Sequence, residues 1–287
     1  MPIDEFSIPA NGFVFSAKRS RPVGGTGGRP VILLHGFPET SHSWLRELEA
    51  LGDAGYLAVA FDQRGYSEGA RPEETEAYRV DHLVDDVLGV AATLGRDRFD
   101  LVGHDWGGMV AWAFASRHPE RLSTVTVVST PHPLAFGVAL SGDDEDQRSR
   151  SSYIEVFRQV GAAERALLGE DGSGDGLRSM FAASGLATDD VEVFVEKMRE
   201  PGALTAALNW YRANNVEALS GVGEIAVPTM YIWSTEDIAL GRTAAEATRD
   251  FVRAPYRFEV LEGVSHWVPE TAPERVSGLL IDFLGNN

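Results

Sequence analysis

Residues 99–108 read FDLVGHDWGG, and this stretch decides the fold class. A short apolar run leads into Gly103, and Asp105 stands between Gly103 and Gly107 where a helix-forming segment begins. The pattern is typical of a sharp strand–turn–helix elbow, whose central residue is held up at the edge of a sheet. A side chain at either glycine would collide with the neighbouring strand or helix, so the spacing predicts a nucleophile elbow centred on Asp105.

Similar apolar runs occur at regular intervals on both sides of this elbow. They lie at residues 31–34, 57–61, 99–102, 125–128, 230–233 and 256–260, with helix-length segments such as 78–94 and 108–117 between most of them. Strands that alternate with helices predict an α/β fold with a mostly parallel sheet. The alternation stops between about Pro131 and Gly221, where helix formers prevail. We therefore expect a helical insertion above the sheet edge at which ligands bind.

Composition and charge exclude several classes of function. The 287 residues carry 25 Lys and Arg against 43 Asp and Glu, and this net charge of −18 disfavours nucleic acids and anionic membrane surfaces as partners. Cysteine is absent, which excludes disulfides and thiolate metal sites. The acidic run at 143–146 is expected to be a solvated face, so we predict no metal site.

Two features of the sequence bear on the location of the protein: its N-terminus and its lack of long apolar runs. The chain begins MPIDEFSIPA, without the basic and apolar regions of a signal peptide. No apolar run reaches the length of about 18 residues that a membrane-spanning helix needs. The sequence therefore predicts a cytoplasmic protein, and the glycine-rich residues 24–28 predict a surface loop.

An aspartate where such elbows commonly hold serine changes the reaction that the site can perform. A carboxylate that attacks a saturated carbon forms an ester, which water can cleave, whereas a serine would form a stable ether. Asp105 therefore indicates displacement at a saturated carbon followed by ester hydrolysis. The alternative is that Asp105 only caps the following helix, as aspartate often does.

Cleaving the ester requires a base to activate water and an acid to orient that base. His266 follows the last apolar run and comes after Asp105 in chain order, as the base of such a triad does. Asp237, which follows the run at 230–233, is the expected acid, in preference to its neighbour Glu236. Each of these side chains is expected at the same edge of the sheet as Asp105.

Three motifs together resemble the epoxide hydrolases of the α/β-hydrolase superfamily, the branch with an aspartate nucleophile. They are His-Gly-Phe-Pro at 35–38, Asp-Gln-Arg-Gly-Tyr-Ser at 62–67 and Gly-His-Asp-Trp-Gly at 103–107. With Asp237 and His266, the match extends over nearly the whole chain. The resemblance implies an α/β-hydrolase fold, in which we expect residues 1–131 and 221–287 to form the core and residues 132–220 to form a helical cap.

The resemblance also implies roles for residues of the pocket. Epoxide hydrolases of this kind use two cap tyrosines, which correspond to Tyr153 and Tyr211. A phenol can hydrogen-bond the epoxide oxygen and neutralise the alkoxide as the ring opens, although either tyrosine could instead only pack. The backbone N–H groups of Phe37 and Trp106 are expected to form the oxyanion hole, and their side chains to form apolar walls that bind substrate with the tyrosines.

The predicted partners are a small-molecule epoxide and water, with no cofactor, because the nucleophile, acid and base are all side chains. The oligomeric state is left open, and a homodimer is compatible with the sequence. A haloalkane or haloacetate dehalogenase with the same triad is the alternative, since Trp106 could donate an N–H to halide. Haloalkane dehalogenases usually have Asn in place of Phe37, and haloacetate dehalogenases usually have Arg in place of Trp106, so both departures favour the epoxide. A third hypothesis, a receptor on a hydrolase fold, is disfavoured by the complete set of catalytic residue types.

Overall fold

The computed structural model describes residues 3–21, 29–215, 219 and 221–287. They form an eight-stranded sheet in the order β1-β2-β4-β3-β5-β6-β7-β8, in which β3 to β8 run parallel and β2 is antiparallel to both β1 and β4. The strands are β1 (Ile3–Ala10), β2 (Phe13–Ser20), β3 (Pro30–Leu34), β4 (Leu57–Phe61), β5 (Phe99–His104), β6 (Leu122–Val128), β7 (Thr229–Glu236) and β8 (Tyr256–Ser265). The prediction of a mostly parallel sheet is confirmed, and the six apolar runs correspond to β3 through β8.

Helices cover both faces of this sheet and fill the connection between β6 and β7. They are α1 (Leu45–Asp53), α2 (Val80–Thr93), α3 (Trp106–Arg117), α4 (Pro133–Ser141), α5 (Glu145–Arg150), α6 (Tyr153–Phe157), α7 (Ala162–Leu168), α8 (Asp175–Phe181), α9 (Thr188–Arg199), α10 (Ala203–Ala213), α11 (Arg242–Ala247), α12 (Val268–Thr271) and α13 (Pro273–Gly285). Short 3₁₀ helices lie at Ser41–Trp44, Glu68–Ala70, Thr75–Tyr78, Pro119–Arg121 and Thr248–Phe251. The helices predicted at 78–94 and 108–117 correspond to α2 and α3.

The position of β3 in the middle of the sheet explains why its residues are apolar without interruption. Successive side chains of a strand point to opposite faces, and a parallel strand covered on both faces must be apolar on both. Val31 and Leu33 belong to the core shared with α1 and α13, whereas Ile32 and Leu34 belong to the larger core shared with α2 and α3. All four side chains are buried. The buried sheet therefore ends in a rigid carboxyl edge from which the loops project.

The first two strands were not predicted from the sequence. β1 and β2 lie at one edge of the sheet, and their residues alternate between buried and exposed positions. Their apolar residues are correspondingly interrupted by charged ones, so they lack the continuous runs that indicated the other strands. The predicted loop at 24–28 lies outside the described residues.

The segment between β6 and β7 is helical in the part that the structure describes, as the sequence predicts. We call residues 133–213, with the helices α4 to α10, the helical insert. It contains no strand within its described residues. Nor does any described helix of the whole chain combine the length and the apolar character that crossing a membrane requires.

Candidate active site

The turn between β5 and α3 holds Asp105 in an uncommon backbone conformation. Its φ is +49° and its ψ is −117°, which non-glycine residues rarely adopt and which surrounding structure must enforce. A Cβ at Gly103 would lie 2.2 Å from the carbonyl oxygen of Gly107, and a Cβ at Gly107 would lie 2.3 Å from that of Leu34. The predicted need for both glycines is thereby confirmed: the strand, the turn and the helix pack too closely for any side chain.

The Asp105 carboxylate has a different neighbour at each oxygen. Oδ1 accepts a hydrogen bond from the backbone N–H of Phe37 at 2.9 Å, and Oδ2 lies 3.6 Å from His266 Nε2. Burial alone would raise the pKa of Asp105, but the hydrogen bond and positive charge of His266 outweigh it and hold that pKa below its ordinary value. The carboxylate is therefore ionised at neutral pH, as a nucleophile must be.

His266 and Asp237 lie together below the pocket. His266 Nδ1 contacts Asp237 Oδ2 at 2.8 Å, while Asp237 Oδ1 accepts hydrogen bonds from the N–H groups of Ala239 and Leu240 at 2.8 and 2.9 Å. Burial lowers the pKa of His266, but the negative charge of Asp237 and the contact with Asp105 raise it well above its ordinary value. Glu236 is exposed, so the structure brings Asp237 and not Glu236 to the histidine.

The loop after β3 is fixed so that the Phe37 N–H faces Asp105. The imidazole of His35 is fully buried and contacts the Gly36 carbonyl through Nδ1 at 2.8 Å, while its Nε2 accepts the N–H of Gln63 at 3.1 Å. A Cβ at Gly36 would lie 2.5 Å from Asp105 Cβ, so glycine is required at this close approach. Trp106, the second expected donor, begins α3, where backbone N–H groups lack intrahelical partners.

The two predicted tyrosines lie in the helical insert and face the same cavity. Tyr211 is near the end of α10, Tyr153 begins α6, and their ring centroids are 6.2 Å apart. Burial is the main cause that raises the pKa of each phenol above its ordinary value, so both stay protonated and can donate. The cavity has a volume of about 390 Å³, and its lining includes Asp105, Trp106, Met109, Tyr153, Tyr211 and Leu240.

Aromatic rings surround Tyr211. Its ring makes edge-to-face contacts with Trp106 at 5.1 Å and with Phe37 at 5.4 Å between centroids. The Trp106 side chain also partly offsets the rise in the pKa of Tyr211 that burial causes. The structure therefore brings together all seven residues that the sequence singled out: Asp105, His266, Asp237, Tyr153, Tyr211, Phe37 and Trp106.

Glu39 is a buried charged residue beside this site to which the sequence analysis gave no role. Its Oε2 accepts the N–H of Gly36 at 2.9 Å and contacts His104 Nδ1 at 3.0 Å. His104 Nε2 in turn contacts the backbone carbonyl of His266 at 2.9 Å. The available signal was the carboxylate at position 39, directly after the His-Gly-Phe-Pro motif. In the described part of the chain, no cluster of His, Asp and Glu side chains is arranged to hold a metal ion.

Comparisons of the sequence and the fold with known proteins identify relatives of this chain. A family model described as alpha/beta hydrolase fold matches residues 29–273. The AB hydrolase superfamily protein YfhM of Bacillus subtilis is 35% identical, over 90% of this chain and 91% of its own. Epoxide hydrolase A of Mycobacterium tuberculosis is 32% identical, over 91% of this chain and 92% of its own. The crystal structure of epoxide hydrolase A from Mycobacterium thermoresistibile superposes with a TM-score of 0.84 at 29% identity, covering 99% of this chain and 98% of that one.

Proposed function

The chain belongs to the alpha/beta hydrolase fold family and is an epoxide hydrolase, and from this premise we propose that it opens an epoxide through a covalent ester on Asp105. The observation that carries the proposal is the arrangement around the Asp105 carboxylate. One of its oxygens accepts a hydrogen bond from the Phe37 N–H, the other lies beside His266, and two protonated phenols line the same cavity. Residues 132–220 act as the cap that closes the pocket over the triad.

In the first step, Asp105 Oδ2 attacks one epoxide carbon and the carbon–oxygen bond of the ring breaks. Tyr153 and Tyr211 hydrogen-bond the ring oxygen and supply the proton that the alkoxide needs. The product of this step is an alkyl ester on Asp105 that carries a free hydroxyl on the neighbouring carbon. No charge is left unbalanced, because the proton lost by the phenol can be replaced from the protonated His266.

In the second step, water cleaves the ester. His266, oriented by Asp237, takes a proton from water, and the oxygen of that water attacks the carbonyl carbon of the ester. Negative charge then develops on Oδ1, the atom that already accepts the Phe37 N–H, and the Trp106 N–H is the second donor. Collapse of the tetrahedral intermediate releases a vicinal diol and regenerates the Asp105 carboxylate.

The dehalogenase alternative requires N–H donors for a halide in place of proton donors for an oxygen. Trp106 is the residue that could supply one, but its ring packs edge-to-face against that of Tyr211, with 5.1 Å between the centroids. Two buried phenols on the pocket wall have no function in halide release, whereas an epoxide oxygen requires them. This contrast supports the epoxide and disfavours the halide.

The test is single-turnover hydrolysis of styrene oxide in ¹⁸O-labelled water with enzyme in excess. Water attacks the ester carbonyl in the proposed mechanism, so mass spectrometry should find the label in the Asp105 peptide and not in the first-turnover diol. Diol labelled in the first turnover would show direct attack of water on the epoxide and would remove Asp105 from the role of nucleophile.

A further inference from the structure

Two buried amide side chains join the helical insert to the core, one within the insert and one directly after it, and each lies beside a different part of the site. Asn214 follows α10, which carries Tyr211, and Gln147 lies in α5 beside the loop that carries Asp237. The exposed fractions of the two side chains are 2% and 0%. Burying an amide is costly unless its donors and acceptor are paired, so full pairing at both positions indicates a function for the contacts.

Asn214 fixes the end of α10 to the core. Its Oδ1 accepts the backbone N–H of Val80 at 2.8 Å, and its Nδ2 donates to the carbonyls of Tyr78 and Trp210 at 2.9 and 2.8 Å. The bonds to positions 78 and 80 connect the end of α10 to the first residue of α2 and to the short helix before it, and the bond to Trp210 returns to α10 itself. The last turn of α10 is thereby held to the core three residues after Tyr211.

The neighbour of Tyr211 on α10 completes this attachment. Trp210 is fully buried, and its Nε1 donates to the backbone carbonyl of Arg64 at 2.9 Å. Its ring makes edge-to-face contacts with Trp106 and Tyr66 at centroid distances of 5.8 and 5.9 Å. The position of the Tyr211 phenol relative to Asp105 therefore depends on bonds made by residues on either side of it.

Gln147 braces the turn that follows Asp237. Its Nε2 donates to the carbonyl of Ala239 at 2.9 Å, and its Oε1 accepts the N–H of Gly241 at 2.7 Å. The same turn supplies the two N–H groups that hold Asp237 Oδ1. A third bond, from Nε2 to Ser151 Oγ at 2.9 Å, stays within the insert. Gln147 thus acts on Asp237 indirectly, by holding the backbone turn whose N–H groups bind the Asp237 carboxylate.

We propose that Asn214 and Gln147 are positioning residues for different half-reactions, Asn214 for Tyr211 during ring opening and Gln147 for Asp237 during ester hydrolysis. The inference rests on the proposed function, since it assigns each amide to one of its two chemical steps. Neither side chain touches the reacting atoms, and each acts by holding the backbone that carries a residue of the site. Loss of either anchor displaces its own residue and leaves the other in place.

The experiment measures both half-reactions of styrene oxide by rapid quench and mass spectrometry of the Asp105 peptide. Asn214→Ala should slow ester formation by about 10- to 100-fold, because small displacements of a reacting group are that costly. Ester hydrolysis in the same variant should stay within about 2-fold of wild type, the limit expected for independent sites. Asn209→Ala is the matched control, since Asn209 is buried in α10 and, among the described residues, its side chain accepts a hydrogen bond from Arg212 and makes none to the core.

Gln147→Ala should show the opposite pattern. Ester hydrolysis should slow by about 10-fold or more, and its pH profile should shift to lower pH, because a displaced Asp237 raises the pKa of His266 less. Ester formation should stay within about 2-fold. Ser151→Ala is the control, because it removes only the bond that stays within the insert. Should an alanine variant fail to fold, Asn214→Leu and Gln147→Met keep the size of the side chain without placing a charge in the core, and they are expected to give the same split.

A double variant separates positioning from general loosening. In a Tyr211→Phe background, Asn214→Ala should slow ester formation no further, because the phenol that it positions is gone. Equal slowing of both half-reactions by each amide variant, or full additivity with Tyr211→Phe, would overturn the inference. If instead the wild-type enzyme forms no ester on Asp105, the proposed function itself fails, so the two failures are distinguishable.

Discussion

Replacing Glu270 by glutamine is expected to stabilise the protein, and to do so more strongly as the pH rises. Glu270 lies in α12, four residues after His266, and both its carboxylate oxygens are shielded from solvent and lack a hydrogen-bond partner among the described residues. Burial, with the charge of Glu39 adding to it, raises the pKa of Glu270 from its ordinary 4.5 to about 8. The carboxyl is therefore mostly protonated in the folded chain at neutral pH but ionised in the unfolded chain.

The sign and size of the effect follow from these two pKa values. Between about 4.5 and about 8 the folded state binds more protons at this group than the unfolded state, so the free energy of unfolding falls as the pH rises. At 1.36 kcal/mol per pKa unit, the part of the shift that lies below about pH 7 corresponds to about 3 kcal/mol. The charge of Glu39 contributes part of the shift and can itself adjust, so we expect Glu270→Gln to gain about 1–3 kcal/mol.

The assay is urea-induced unfolding of wild type and Glu270→Gln at about pH 5 and about pH 8. Glutamine keeps the shape and polarity of the protonated carboxyl and stays neutral throughout, so the gain should be below about 1 kcal/mol at the lower pH and largest at the higher one. Glu274→Gln is the matched control, because Glu274 is exposed in the first turn of α13. A gain that is equal at both pH values, or no gain at about pH 8, would refute the reasoning.

Four further substitutions test the proposed mechanism. His266→Gln should still form the ester on Asp105 but fail to hydrolyse it, so the intact mass of the protein should increase by that of the substrate; an unmodified variant, given an epoxide that the wild type converts, would contradict the scheme. Tyr211→Phe and Tyr153→Phe should each slow ester formation by about 10- to 100-fold while an ester already formed hydrolyses at the wild-type rate, measured by single-turnover quench; unchanged ester formation in both variants would count against the phenols as acids. Gly36→Ala should lower kcat/KM by about 100-fold, because its Cβ would lie 2.5 Å from Asp105 Cβ and must displace the nucleophile, whereas Gly278→Ala, whose Cβ would meet nothing within 4 Å, is the control and should keep full activity.

The sheet and the elbow could be predicted because their physical demands appear in single stretches of sequence. A parallel strand covered on both faces requires a continuous apolar run. The Gly103–Asp105–Gly107 spacing reflects packing so close that a Cβ added at either glycine would lie 2.2 or 2.3 Å from a backbone oxygen. The strands β1 and β2 could not be predicted in this way, since each has exposed positions at which polar residues are tolerated. A residue type that the local packing requires can be recognised in the sequence, whereas one that the local packing only tolerates cannot.

The packing of the helical insert could not be predicted from the sequence. Its helices are mostly short, several begin or end at glycine, and their packing is set by neighbours far away in sequence. The tyrosines could be named only because motifs elsewhere resembled a known family, and nothing in the sequence around Gln147 or Asn214 indicated that these amides reach the core. Long-range hydrogen bonds such as Asn214 to Tyr78 leave no periodic signal, so they become visible only in three dimensions.

In the proposed mechanism the first half-reaction prepares the base for the second. Burial disfavours a charged His266, but the carboxylates of Asp237 and Asp105 raise its pKa well above the ordinary value, so the resting imidazole is protonated and cannot accept a proton from water. Esterification turns Asp105 from an anion into a neutral group and removes one of the two charges that retain the proton. Asp237 keeps the ring oriented at 2.8 Å while the pKa of His266 falls, and the released proton can replace the one that a phenol gave to the alkoxide. The order of the two steps is therefore set by charge: the base becomes competent only once there is an ester for water to attack.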